Sequence, residues 1–159
     1  MFTLDIQPRF SDTDALGHIS NTSLPVWFEQ GRTPIFRIFH PSLDVKTWPL
    51  IIARLEIDLL AQSYWHMPVE IRTGVGNIGN SSFQVVQEAW QNGKQIARGV
   101  ATLIHFDYEN EKSVPIPDAV KAELAEHRVK ETAQVRRGWR AATSRGSCLV
   151  PMRFRSVTA

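Results

Sequence analysis

The chain has 159 residues, enough for one domain with a single core, and its 43% apolar and 21% charged composition excludes a wholly disordered chain. One cysteine, Cys148, excludes an internal disulfide framework and the usual multi-cysteine metal sites. The net charge of +2 is uneven: residues 128–159 carry eight Lys/Arg against one acid, Glu131, for +7, and the rest of the chain carries −5.

A nucleic-acid reading would therefore rest on the basic tail alone, and neither nucleic acid nor membrane is expected as a partner. No positively charged leader precedes an apolar run, and no 18-residue apolar stretch occurs, so a cytoplasmic location is expected.

Phe2, Leu4 and Ile6 alternate with Thr3, Asp5 and Gln7, which predicts a half-buried strand that Pro8 keeps peripheral or irregular. The stretch Asp12–Arg32 follows, with two carboxylates, a glycine, a histidine and an asparagine within ten residues, running into an amphipathic helix. Asn21, Thr22 and Ser23 are all competent N-caps, and Pro25 suits a first helical turn. Leu24, Phe28, Gly31, Ile35 and Ile38/Phe39 form an apolar stripe, with Gly31 allowing a sheet to approach. Glu29 and Arg32 are spaced to pair, and Pro34 predicts a kink or break near Thr33.

From Leu50 the pattern turns to strands. Residues 51–61 alternate as one long amphipathic strand, Val69–Val75 as a second and Ser82–Trp90 as a third, after the turn Gly79-Asn80-Ser81. Asn92-Gly93 marks a tight hairpin into a fourth, Gln95 to about Tyr108, whose small residues Ala97, Gly99 and Ala101 leave room for a helix. Asp118 is expected to cap a last short helix, ending near His127. The economical solution is an α+β domain, an antiparallel sheet wrapped around one long helix.

The chemistry-bearing residues cluster at the first loop. Asp14 can act as nucleophile or general base, or can simply cap its own turn. Asp12 is expected to be structural, bonded to loop backbone or Arg9. His18 can orient a substrate, tune Asp14 or hydrogen-bond within the loop, and Glu29 is either a second polar group of the site or the partner of Arg32. Asp12, Asp14 and His18 match no established metal-ligand spacing, so no metal is expected. Ser81 and Ser82 lack a G-x-S-x-G context. Trp27, Trp48, Trp65 and Trp90 suit a core or the wall of an acyl pocket better than base stacking.

Asp12-Thr13-Asp14-Ala15-Leu16-Gly17-His18-Ile19-Ser20-Asn21, followed by Trp27-Phe28-Glu29 and Arg32, resembles the D-x-D-x-x-G-H-V-x-N opening and F-E-x-x-R helix of a known family. That family is the hotdog-fold acyl-CoA thioesterases of the 4-hydroxybenzoyl-CoA thioesterase type. The likeness continues through Ala53–Asp58, Pro68 and Ile78–Phe83, so it covers about residues 2–127; residues 128–159 form a separate basic extension. The resemblance implies a five-stranded antiparallel sheet around the helix and a homodimer or tetramer with active sites between subunits. It also implies acyl-CoA as substrate with no further cofactor. By motif match Asp14 is the catalytic carboxylate, with His18 and Asn21 as catalytic companions. Ile19 and Ser20 are the expected oxyanion donors, and Glu29, Ser81 and Ser82 the remaining substrate-binding candidates. The loop is two residues shorter than in some relatives, and Gly79-Asn80-Ser81 lacks the basic residue often found there. A hotdog hydratase and a non-catalytic acyl-CoA binder or sensor are the alternative functions, since a fold does not settle an activity.

Overall fold

Alternating side chains put one apolar face on each of five long strands, and that face needs a cover. In a computed structural model, which describes residues 1–129, the cover is a broken helix. The strands are β1 (Phe2–Ile6), β2 (Leu50–Leu59), β3 (Val69–Ile78), β4 (Ser82–Gln91) and β5 (Lys94–Asp107), with the short β6 (Lys112–Ser113) paired to β5. All pairings between strands are antiparallel, in the order β1-β3-β4-β5-β2, and the sheet curls around α1 (Ser23–Gly31) and α2 (Thr33–Phe39). The fold is a hotdog α+β fold, as expected. A third helix, α3 (Asp118–Glu126), closes the described chain.

The break between α1 and α2 falls at Arg32, two residues before Pro34. Pro34 has no amide to offer the Gln30 carbonyl, and the Thr33 hydroxyl donates to that carbonyl instead, at 2.8 Å. Close packing of the helix on the sheet depends on two glycines. A methyl at Gly31 would lie 2.8 Å from Ile71 Cγ2, and one at Gly99 would lie 2.8 Å from the Phe28 ring. Leu24, Trp27 and Phe28 then pack with Val69, Ile71 and Ala97, while Ile35 packs with Val75, Phe83, Ala101 and Leu103. At the hairpin, Asn92 and Gly93 both take positive φ, +49° and +73°, as a two-residue primed turn requires.

Three local expectations are corrected. None of Asn21, Thr22 and Ser23 caps α1 through its side chain; Thr22 holds the cap position, and the Ser20 hydroxyl accepts its amide at 3.3 Å. Asp118 is the first residue of α3 rather than its cap, which is Pro117. Strand β2 ends at Leu59 rather than running on to residue 61; it closes the sheet with one edge unpaired, and Ile51, Ile52, Leu55 and Leu59 are 37–57% exposed. Among the described residues no helix is long and apolar enough to cross a membrane. The basic extension, with Trp139 and Cys148, lies outside the described residues apart from Arg128 and Val129.

Candidate active site

Asp12 anchors the loop. It is buried, its Oδ2 accepts the Arg9 amide at 2.7 Å, and its Oδ1 lies 3.5 Å from the Arg9 guanidinium. Its carbonyl takes the Ser20 amide at 2.7 Å and the Ser23 hydroxyl at 3.3 Å, which ties the loop to the start of α1. Between these fixed points the chain folds back on itself, with Thr13 bridged to Ile19. Gly17 supports the reversal with φ +78°.

Asp14 sits in that reversal, exposed to solvent. Its Oδ1 accepts the amides of Leu16 at 2.8 Å and His18 at 3.1 Å, and its own amide donates to the His18 carbonyl at 2.8 Å. Oδ2 takes no hydrogen bond among the described residues. One carboxylate oxygen therefore shapes the turn, as an aspartate in a turn commonly does, and the other faces outward. His18 is half-buried; its ring meets the Tyr64 ring edge-on at 5.4 Å and makes no hydrogen bond to Asp14. Asn21 is exposed, and neither its amide nor its side chain is bonded among the described residues.

The expected oxyanion donors are already engaged. The Ile19 amide donates to the Ser63 carbonyl at 2.9 Å with its side chain in the core, and the Ser20 amide is held by Asp12. In so short a loop both amides turn inward to satisfy buried carbonyls, as buried backbone must. Glu29 is exposed and makes no ion pair with Arg32 within 4.0 Å. Arg32 instead turns inward, 1% exposed, and donates to Gln87 Oε1 at 3.0 Å while its Nε is unpartnered; burial lowers its pKa and the more distant Glu29 partly opposes that. Ser81 and Ser82 stand where β4 begins, whereas the Asp14 turn lies near where β4 ends. A ten-residue strand, about 30 Å, separates them within one chain.

The segment that carries Trp65, expected as core or pocket wall, completes the surroundings. The segment after β2 carries Tyr64, Trp65 and His66 beside the turn: Tyr64 is bridged to His18, and Trp65 meets Phe10 edge-on at 5.9 Å. Phe10, Leu16, Tyr64 and Trp65 are exposed, so the outward oxygen of Asp14 belongs to a polar turn amid apolar surface. Of the other tryptophans, Trp27 is core, Trp90 lies under the Arg72 guanidinium, and Trp48 lines an apolar hollow of about 680 Å³ with Pro49, Phe106 and Tyr108. That hollow adjoins Leu50, at the opposite end of β2 from the Asp14 turn.

Comparisons with known proteins agree with the fold. The model of the thioesterase-like superfamily matches residues 8–124. A structure from Bacillus stearothermophilus, described as that of a predicted thioesterase, superposes with a TM-score of 0.80 at 41% identity, over 82% of this chain and 98% of that one. A thioesterase from Thermus thermophilus, crystallised with coenzyme A and Zn, shares the fold with a TM-score of 0.70 at 23% identity, over 78% and 91%. The uncharacterized protein YsmA of Bacillus subtilis is 25% identical over 121 residues, 75% of this chain and 82% of that one. The chain belongs to the thioesterase-like superfamily, and the general activity that membership supports is thioester hydrolysis.

Proposed function

We propose that the protein hydrolyses acyl-CoA thioesters, with Asp14 as the reacting carboxylate. The observation that carries this reading is the division of labour at Asp14, where two amides hold Oδ1 and leave Oδ2 facing outward. A carboxylate so held can attack the thioester carbonyl or take a proton from an attacking water. The exposed Asn21 amide replaces Ile19 and Ser20 as the candidate donor to the developing oxyanion. His18, with the exposed Tyr64 and Trp65, offers aromatic surface for the acyl group. Coenzyme A enters as part of the substrate, and the named complex of the Thermus relative supports that class.

We infer self-association from β2. A ten-residue edge strand with four exposed aliphatic side chains is a surface that soluble proteins cover. A second copy pairing antiparallel along this edge would bury it. Such pairing would set the Leu50 end of one β2 against the Leu59 end of the other. The apolar hollow at Trp48 in one copy would then lie toward the Asp14 turn of its partner.

The test is thiol release from a panel of aromatic and aliphatic acyl-CoAs by the wild type and by Asp14→Asn. Loss of a positioned carboxylate is expected to slow turnover by about 100-fold or more. Full turnover by Asp14→Asn refutes the assignment. Coenzyme A thioester binding without thiol release in the wild type would establish an acyl-CoA binder instead.

A further inference from the structure

The Asp14 turn belongs to no strand of the main sheet, and its geometry is borrowed from the segment between β2 and β3. That segment hangs on one buried side chain. Gln91, the last residue of β4, is 5% exposed; its Oε1 accepts the Tyr64 amide at 2.8 Å, and its Nε2 donates to the carbonyls of Tyr64 at 2.7 Å and Met67 at 3.0 Å. Three hydrogen bonds of one primary amide thus go to two loop residues, Tyr64 and Met67, and span the four-residue segment between them. Reversing the amide would set its NH2 against an N–H and its oxygen against two carbonyls, so the network fixes its orientation.

The loop in turn grips the Asp14 turn. Tyr64 and His18 are bridge partners, and the Ser63 carbonyl takes the Ile19 amide at 2.9 Å. One step further, the His18 amide reaches Asp14 Oδ1 and the Asp14 amide reaches the His18 carbonyl. The contacts form an unbroken series from the rigid end of β4 to the carboxylate.

We propose that Gln91 is a positioning residue for Asp14: it fixes residues 64–67 and, through Ser63 and Tyr64, the His18–Asp14 pairing that aims the free carboxylate oxygen. This rests on the catalytic reading of Asp14 given above. Gln91 itself touches no substrate; it acts through backbone it holds in place.

The experiment uses the full chain, with Gln91→Met, which keeps the length of the side chain and removes all three bonds. For acyl-CoA hydrolysis, kcat is expected to fall about 10- to 100-fold, as a misplacement on the order of 1 Å produces. Hydrogen exchange is expected to show the amides of Ile19 and Tyr64 losing protection while those of Phe83–Ala89 keep theirs. In the Asp14→Asn background the same substitution is expected to cost nothing further, because the group it aims is gone. If Gln91→Met does not fold, Gln91→Glu, which retains an acceptor for the Tyr64 amide and loses the donations, gives the same reading. An unchanged kcat, or an equal loss in both backgrounds, overturns the positioning role. Full activity in Asp14→Asn alone overturns the catalytic reading and this inference with it; an impaired Asp14→Asn beside an unimpaired Gln91→Met overturns only the latter.

Discussion

Replacing Gly31 by alanine is expected to destabilise the fold even though alanine is the better helix former. The substitution gains about 1 kcal/mol of helix propensity. Against this, the added methyl would lie 2.8 Å from Ile71 Cγ2, 3.0 Å from Gln87 Nε2 and 3.1 Å from Thr73 Oγ1, three sides of one closed contact. Overpacking of that kind costs about 1–3 kcal/mol. Gln87 cannot yield freely, because the same nitrogen donates to the Phe28 carbonyl at 2.7 Å and to the Thr73 hydroxyl at 3.0 Å. Moving it forfeits at least one bond worth about 1 kcal/mol. The balance is a net loss of about 1–3 kcal/mol. Urea unfolding followed by tryptophan fluorescence, with Trp27 buried beside the site, measures it at a fixed protein concentration, which matters if the chain associates. A midpoint equal to or above that of the wild type refutes the argument that the sheet needs a glycine there.

Leu55→Glu tests the β2 edge. Leu55 is 41% exposed in the single chain, so the change is expected to leave monomer stability within about 0.5 kcal/mol, yet to halve the mass seen by sedimentation if β2 joins two copies. An unchanged assembly refutes that use of the edge. Asp107 tests the acid side of stability: the Asn110 side chain and amide, with the Glu109 amide, hold its carboxyl below the usual carboxylate range. A depressed folded-state pKa contributes stability fully present above the unfolded-state value and lost as pH falls through the folded one. A carboxyl titration followed by NMR is therefore expected to show a low midpoint for Asp107, and a midpoint in the ordinary range refutes it.

Much of this fold was legible because its signals are local. Alternation marked β2 to β5, Asn92-Gly93 marked the hairpin, and the small residues at 97, 99 and 101 marked where Phe28 enters. What failed depended on partners distant in sequence. Spacing offered Glu29 to Arg32, but Arg32 is also four residues beyond the buried Phe28, and that position on the stripe carries it inward to Gln87. The alternation of β2 marked a strand but not its place, because nothing in residues 50–59 says that the sheet puts this strand at its edge. The engagement of the Ile19 and Ser20 amides turns on Ser63 and Asp12, and the role of Gln91 on a loop 24 to 27 residues upstream. Neither leaves a periodic trace.

The two oxygens of Asp14 allow its structural and chemical roles to be separated by comparing two substitutions. Asparagine keeps an oxygen that can accept the Leu16 and His18 amides, and replaces the outward oxygen by an NH2 that can neither attack nor take a proton. Alanine removes both. On the proposed reading the two variants are equally impaired in thioester hydrolysis, because the chemistry resides in the outward oxygen. They differ in local order: alanine leaves two exposed amides to water and frees the turn, so exchange at Leu16 and His18 quickens in Asp14→Ala and not in Asp14→Asn. Near-normal hydrolysis by asparagine with loss only in alanine would mean that Asp14 serves the site by shaping its turn, and the reacting group would have to be sought elsewhere on the apolar rim.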